Sequence, residues 1–318
     1  MELGDVIFSK DGSLGNPALI RELPDKATIN GTMMLVRLHE KVTPNFFYQV
    51  LNSDSFFRLM HILKSGSSIP HIFQRDMENF KFKIPQSLNE QNQISSFLEV
   101  VDEKIELLKK KQQTYQDFKQ YLMQQIFTQK LRFDFNDEWN YLNFNNIFKS
   151  VSTKKYQIKS AEIMDNGDFE VIDQGLDEIA GYFNDKNKLC HELPIIIYGD
   201  HTTFVKFRNK PFIVGADGVK LLSPKIDANL KYLFYALNYF NVKPEGYKRH
   251  FSIVKKIKLP IPNLEEQNEI SSILTNVDMK LKCTQKQLHE TKKFKKGLLQ
   301  QMFDNMPLLF KFNIIINE

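Results

Sequence analysis

LNEQNQISSFLEVVDEKIELLKKKQQTYQDFKQYLMQQIF (residues 88–127) and LEEQNEISSILTNVDMKLKCTQKQLHETKKFKKGLLQQMF (residues 264–303) are two copies of one stretch. They align without a gap at an offset of 176, with 18 of 40 positions identical. Unrelated helices do not agree so far, so the chain carries an internal repeat. Both copies open on a helix start. Pro85 precedes Ser87 and Glu90, which have the spacing of a capping box; Pro260 and Pro262 precede Asn263 and Glu266, the same device. The prolines hold the chain extended up to that point.

Apolar residues then recur at alternating steps of four and three. The first copy gives Ile94, Leu98, Val101, Ile105, Leu108, Tyr115, Leu122 and Ile126; the second gives Ile270, Leu274, Val277, Leu281, Leu288, Leu298 and Met302. A repeat near 3.5 is a coiled-coil seam. Gln112 and Lys119 interrupt the first seam, and Thr284, Thr291 and Lys295 the second. Each helix would be roughly 57 Å long. Matched seams with like ends predict that the two helices pack against each other, antiparallel, in a pseudo-twofold molecule with one globular module per half. Lys109, Lys110, Lys111, Lys292, Lys293, Lys295 and Lys296 read as a solvated face.

The bulk numbers fit this layout. A length of 318 residues allows about two domains with real cores. The 42% apolar content suits a globular protein, and the net charge of +5 is basic without being extreme. Cys190 and Cys283 are far apart and outside metal-ligand spacing, which argues against a disulfide framework or a zinc site and fits a reducing compartment. MELGDVIFSKDG has no secretory pattern, and no apolar run approaches the length of a membrane span. A cytoplasmic location, with no membrane partner, is expected.

The segment between the repeats reads as mixed α/β. Phe169–Ile172, Leu193–Tyr198, Phe204–Phe207, Pro211–Val214 and Val219–Leu222 are strand-like, 165–168 and 216–218 are turns, and Leu230–Phe240 is a core helix. A shortened version of the same order precedes the first repeat. Asp5–Ser9 corresponds to Leu193–Tyr198, Thr28–Leu38 to Phe212–Leu222, Asn45–Leu51 to Tyr232–Asn238, and Phe82–Pro85 to Ile257–Pro260. Measured against the second half, the first lacks about 50 residues at its N-terminal side. The expected organisation is a partial first domain at 1–87, a spacer helix at 88–130, a second domain at 131–262, a second spacer helix at 263–305, and a tail at 306–318 that does not fit the repeat.

Catalytic motifs are missing. There is no N/D-P-P-Y/F/W run for adenine methylation and no G-x-x-x-x-G-K-S/T phosphate loop. Asp102-Glu103-Lys104 looks like part of a nuclease motif, but it sits inside the heptad pattern with Asp278-Met279-Lys280 as its counterpart in the second copy, so its role reads as structural. Asp200 and His201 have no further ligand at metal spacing and read as a polar turn.

The pattern of globular domain, L-x-E-Q-x-x-I, V-D-x-K and long helix ending L-x-Q-Q-x-F, given twice, resembles the DNA-specificity subunit of type I restriction–modification enzymes. The matching residues are Glu90, Gln91, Ile94, Val101, Asp102, Lys104 and Phe127, and again Glu266, Gln267, Ile270, Val277, Asp278, Lys280 and Phe303. The resemblance covers nearly the whole chain. It implies an α+β fold: two mixed α/β target recognition domains, the first truncated, separated by two long helices paired as an antiparallel coiled coil. It implies double-stranded DNA, two methyltransferase subunits and restriction/translocase subunits as partners. S-adenosylmethionine, ATP and Mg would sit on those partners, leaving this chain non-catalytic. The truncation implies that one half-site is read poorly or not at all. A rival reading is a silent allele acting as a helix-mediated scaffold or decoy that holds methyltransferase subunits without reading DNA.

For DNA contact the sequence offers Lys154 and Lys155, then His201, Thr202 and Thr203, then Lys206 and Arg208, then Lys248, Arg249 and His250 between the aromatics Tyr247 and Phe251. These are the densest basic clusters outside the helices, placed in turns where a scaffold can present them to phosphates and base edges.

Overall fold

The computed structural model describes residues 1–23, 26–38, 40–64, 70–215, 217–246, 248–304 and 308–311. In chain order the elements are β1 (Val6–Ser9), β2 (Gly15–Leu19), β3 (Met33–Val36), α1 (Pro44–Leu51), α2 (Asp54–Lys64), α3 (Gln74–Glu78), β4 (Lys81–Ile84) and the long helix α4 (Leu88–Phe127). Then come β5 (Asn140–Asn143), α5 (Phe144–Ile147), β6 (Phe148–Val151), β7 (Gln157–Ile158), β8 (Phe169–Ile172) and β9 (Gly181–Phe183). They are followed by β10 (Ile195–Gly199), β11 (Val205–Arg208), β12 (Ile213–Gly215), β13 (Val219–Pro224), α6 (Leu230–Tyr239), α7 (Phe251–Val254) and β14 (Lys258–Ile261). The second long helix α8 (Leu264–Asp304) and β15 (Leu308–Lys311) end the described chain. The chain divides into two compact units, Met1–Gln113 with Lys282–Glu318, and Thr114–Leu281. Each unit therefore owns the first part of one long helix and the last part of the other.

In the first unit, β1 is the middle strand of an antiparallel sheet ordered β2-β1-β3. Val6 and Phe8 point from it into a core with Met34, Val36, Phe46, Phe47, Val50, Leu51 and Phe56. Leu98 of α4 and Leu299 and Phe303 of α8 complete that core, with Ile94 and Leu298 packed on its edge. Farther along α4, Val101, Ile105 and Leu108 pack with Leu288 and Leu298 of α8. Rising numbers on one helix meet falling numbers on the other, so the pairing is antiparallel.

The second unit is larger. Sheet β11-β10-β13-β6 is antiparallel throughout, while β7-β12-β8-β9 is mixed, with β12 parallel to both its neighbours. All five residues of β10 are buried. Its side chains alternate between two cores, as strand geometry requires. Ile196 and Tyr198 face α6 and the long helices, joining Leu122, Ile126, Phe127, Leu233, Ile270, Leu274 and Val277. Ile195 and Ile197 face the mixed sheet, joining Ile172, Phe212, Val214 and Leu221. The strands expected from sequence occur with shifts of a residue or two; β5, β6, β7 and β9 are short or half-exposed and carry little apolar signal.

Most of the apolar seam residues are buried, with Ile94, Tyr115, Leu281, Leu298 and Met302 half-buried. Two supposed interruptions have a different role. Lys295 Nζ sits 2.6 Å from Asp102 Oδ1 in the first unit, and Lys119 Nζ 2.6 Å from Asp278 Oδ1 in the second. These are the same pair repeated, since each residue lies 176 positions from its counterpart. Lys295, with 13% of its side chain exposed, does not belong to the solvated face where its charge alone would place it. The Asp of V-D-x-K also accepts from the neighbouring short helix. Gln49 Nε2 of α1 reaches Asp102 at 3.2 Å, and Tyr235 Oη of α6 reaches Asp278 at 2.7 Å.

The glutamine of the E-Q motif is a second repeated tie. Gln91 is fully buried; its Oε1 accepts from the N–H of Thr43, the N-cap of α1, and its Nε2 donates to the Pro85 carbonyl. Gln267 Oε1 accepts from the N–H of Asn229, the N-cap of α6, and its Nε2 donates to the Pro262 carbonyl. The glutamate of the same motif is not used alike. Asn263 caps α8 through the Glu266 N–H as expected. Glu266 itself does not close a capping box: it is fully buried, gripping Arg132 at 3.0 and 2.8 Å and Trp139 Nε1 at 2.9 Å. Glu90 is exposed.

The C-terminal tail also departs from expectation. Leu308–Lys311 is a strand of the first unit, antiparallel to β4 with Leu308 opposite Ile84 and Lys311 opposite Lys81. In the second unit β5 takes the same place beside β14, with Asn143 opposite Lys258. In both units, then, the strand that leads into one long helix pairs with the chain emerging from the other. The rest of the tail, residues 306–307 and 312–318, lies outside the described residues.

Val101 and Val277 are both 7% exposed in their helix pairings. Replacing either with Asp is expected to cost several kcal/mol, because it puts a carboxylate into an apolar seam whose lysine is already paired with the neighbouring Asp. Thermal unfolding followed by circular dichroism checks this; an unchanged melting temperature would count against the seam.

Candidate nucleic-acid interface

In the second unit the 200–203 turn and the segment at His250 meet at the C-terminal end of β10, while Lys206 and Arg208 lie along β11 opposite Ile197 and Ile195. The turn after β10, Asp200 to Thr203, is tight by construction. A Cβ on Gly199 would lie 2.3 Å from Thr202 Oγ1, and one on Gly218, whose φ is +86°, would lie 2.6 Å from Gln174 Nε2. Gln174, in the β8–β9 loop, binds three loops together. Its Oε1 accepts from His201 N–H at 3.0 Å, its carbonyl accepts from Thr202 Oγ1, and its Nε2 donates to the Asp217 carbonyl in the β12–β13 turn. Asp217 Oδ1 in turn accepts from Gln157 Nε2, which brings in the Ser152–Lys155 loop.

The segment before α7 closes on the same turn. His250 is fully buried. Its backbone N–H donates to the Asp200 carbonyl at 2.7 Å, and its Nε2 accepts from the Glu245 N–H at 3.0 Å. That leaves Nδ1 as the protonated nitrogen, 3.2 Å from the Asp200 carbonyl. Asp200, itself buried, accepts from the Phe251 N–H at 2.9 Å.

These contacts divide the ten candidates. Lys154, Lys155, Lys248 and Arg249 are exposed, and His201 and Thr202 half-exposed. Lys155 lies over the Tyr156 ring, and Lys248 pairs with Glu245. Lys154 and Arg249 have no acidic partner among the described residues. Four candidates are turned inward. Lys206 donates to the Asp173 and Asp177 carbonyls at 3.0 and 2.6 Å, and burial pulls its ammonium below the usual lysine range. Arg208 holds Glu170 and the Glu178 carbonyl. Thr203 and His250 are buried. Strand alternation explains the first two: positions 206 and 208 share the face of β11 that lies under the β8–β9 loop. Tyr247 lies outside the described residues.

Gln174 carries no charge and no motif, so nothing in the sequence singled it out. The flanking turn glycines Gly199 and Gly218, both packed close against it, are the only trace it leaves there. Among the described residues no group of His, Cys, Asp or Glu could hold a metal, and no helix is long and apolar enough to cross a membrane. What the arrangement offers is a set of tied loops on a two-sheet scaffold, presenting cations, hydroxyls and backbone amides. Such groups suit hydrogen bonding to phosphates and base edges.

Gln174→Ala should untie the three loops while leaving both cores intact. Hydrogen exchange of the His201 and Thr203 amides is expected to quicken about tenfold or more, with the loss of roughly 1–2 kcal/mol for a bond whose partner is left open. Exchange at the wild-type rate would remove Gln174 from this role.

The model of the type I restriction modification DNA specificity domain matches residues 2–115 and 136–293. A relative from Methanocaldococcus jannaschii, the type I restriction enzyme MjaVIII specificity subunit, is 23% identical over 352 aligned positions, covering 93% of this chain and 77% of its own length. The crystal structure of a type I restriction–modification S subunit from M. genitalium superposes with a TM-score of 0.69 at 20% identity, over 96% of this chain and 84% of that one. A further structure, solved in a study of complex assembly and conformational transition of a type I system, gives a TM-score of 0.52 at 18% identity, over 95% of this chain and 82% of that one.

Proposed function

The chain belongs to the type I restriction modification DNA specificity family, and on that premise we propose that it reads double-stranded DNA sequence for a methyltransferase and restriction complex without catalysing a reaction itself. The observation that carries this reading is the loop cluster of the second unit. Among the described residues Lys154 and Arg249 are exposed without acidic partners; Lys155 and Lys248 are exposed and His201 and Thr202 half-exposed. In this reading the lysines neutralise phosphates, and Arg249, His201 and Thr202 reach base edges. Lys206, Arg208, Thr203 and His250 serve the same site from inside by fixing the loops.

Partner docking falls to the long helices. In the first unit the face of α4 away from α8 leaves Phe97, Val100 and Leu107 exposed at 47, 63 and 65%. Apolar residues at that spacing on a helix suit a facing helix of another subunit. Two methyltransferase subunits and the restriction/translocase subunits are the partners proposed, with S-adenosylmethionine, ATP and Mg bound on them, in the cytoplasm. The same stripe is what favours the second reading, a scaffold that holds methyltransferase subunits without reading DNA.

The two readings separate in a binding experiment on the full chain assembled with its methyltransferase, using duplexes with randomised target sites. Recognition predicts a selected sequence and a steep salt dependence. Replacing Lys154 and Lys248 with Gln is expected to flatten the salt slope by about one unit each. Arg249→Ala is expected to cost about 1–3 kcal/mol and relax the preference at one base pair. A complex that assembles but selects no sequence would leave the scaffold reading standing.

A further inference from the structure

The β8–β9 loop carries a bare leucine at its tip. Leu176 is 77% exposed, more than any other large apolar residue among the described residues. A single exposed leucine is ordinary on a protein surface. What sets this one apart is the bracing around it. Lys206 Nζ donates to the Asp173 carbonyl at 3.0 Å and to the Asp177 carbonyl at 2.6 Å, so one ammonium holds the chain on both sides of the tip. Arg208 holds the Glu178 carbonyl at 2.6 Å on the C-terminal flank. Asp173 Oδ1 accepts from the Gly175 N–H at 2.8 Å on the N-terminal flank.

Both cations have only 10% of their side chains exposed. Taking an ammonium and a guanidinium out of water is unfavourable unless hydrogen bonds offset it. Here those bonds go to the backbone of a loop that presents an apolar residue to solvent. A free loop could fold its leucine back onto the protein. This one is held in a fixed shape with the leucine outward.

The surroundings indicate what the tip meets. Gln174, two residues before Leu176, ties the loop to His201 and Thr202 of the 200–203 turn, the groups assigned above to base edges. Phe204, at the end of that turn, is 40% exposed. Two of the loop's three carboxylates, Asp173 and Glu178, lie 3.7 Å from Lys206 and Arg208, which lessens their repulsion of a phosphate backbone. A rigid apolar side chain beside base-reading groups has one apolar surface within reach on a duplex: the faces of the stacked bases.

We propose that Leu176 is a wedge that enters a base step of the bound duplex and unstacks it. The proposal rests on the DNA-reading role given above and deepens it. It adds a selectivity of different origin, because a pyrimidine–purine step opens more easily than others and is favoured without any polar contact to its edges.

The test uses the full chain assembled with its methyltransferase. The sequence selected from randomised duplexes is made again with 2-aminopurine, which brightens when it loses its stacking neighbours, at each position in turn. Emission should rise at one step on binding. Leu176→Ala should lose that rise and relax the preference at that step, while Leu176→Met keeps both. Assembly with the methyltransferase, followed by sedimentation, should be the same for Leu176→Ala as for wild type, which shows that the variant folds. A selected site with no rise at any position, or a rise of full size in Leu176→Ala, overturns the wedge while the DNA-reading role stands. Weakened assembly in Leu176→Ala would make the tip a protein-docking residue and equally overturn it. Failure of wild type to select any sequence overturns both.

Discussion

A lysine placed in an apolar seam requires an anion within reach, and in this protein that requirement sets the register of both helix pairings. Lys295 and Lys119 each sit where a seam residue belongs. Sliding the helices by one turn would leave each ammonium against valine or leucine, half-buried and unpaired. Only one register brings Asp102 and Asp278 opposite them. The apolar residues supply most of the stabilisation, roughly 1.5–3 kcal/mol for each side chain fully buried. They do not by themselves choose between registers that bury similar area, and a polar pair within a seam does.

The globular parts hang on that pairing through the same motif. Asp102 and Asp278 also accept from α1 and α6, and Gln91 and Gln267 fix the caps of those two helices. The short helix packs on the sheet, and the sheet's central strand ends in the loop cluster. A chain of short contacts therefore runs, within the second unit, from the helix seam to the loops proposed to meet DNA. Tied loops bind with less ordering cost than free ones, which would give the half-buried Gln174 and the buried His250 a part in the proposed recognition without touching a ligand.

The two units share this plan and differ in what encloses it. Glu266, with Arg132 and Trp139, seals the second unit where the chain leaves one long helix and enters the other. In the first unit the strand beside β4 comes from the C-terminal tail, and Glu90 stays exposed. One unit thus draws its elements from an unbroken stretch of chain and the other from both ends.

The amino-acid sequence by itself determined the two long helices, the Asn263 cap and most of the seams, because heptad spacing and proline punctuation are local signals that survive without neighbours. It also determined the family resemblance, carried by motifs within those helices, and the main strands of the second unit. It marked the exposed cations Lys154, Lys155, Lys248 and Arg249 through their density. Tertiary structure decided the rest. That Lys295 is a register pin and not a solvated lysine, that Glu266 is buried and Glu90 is not, and that Lys206, Arg208 and His250 face inward all depend on partners distant in sequence. Gln174 and the strand at 308–311 were invisible for the same reason. A polar side chain or a short strand has no periodicity of its own, and whether it faces water or a partner is settled only when the chain folds and brings that partner within hydrogen-bond distance.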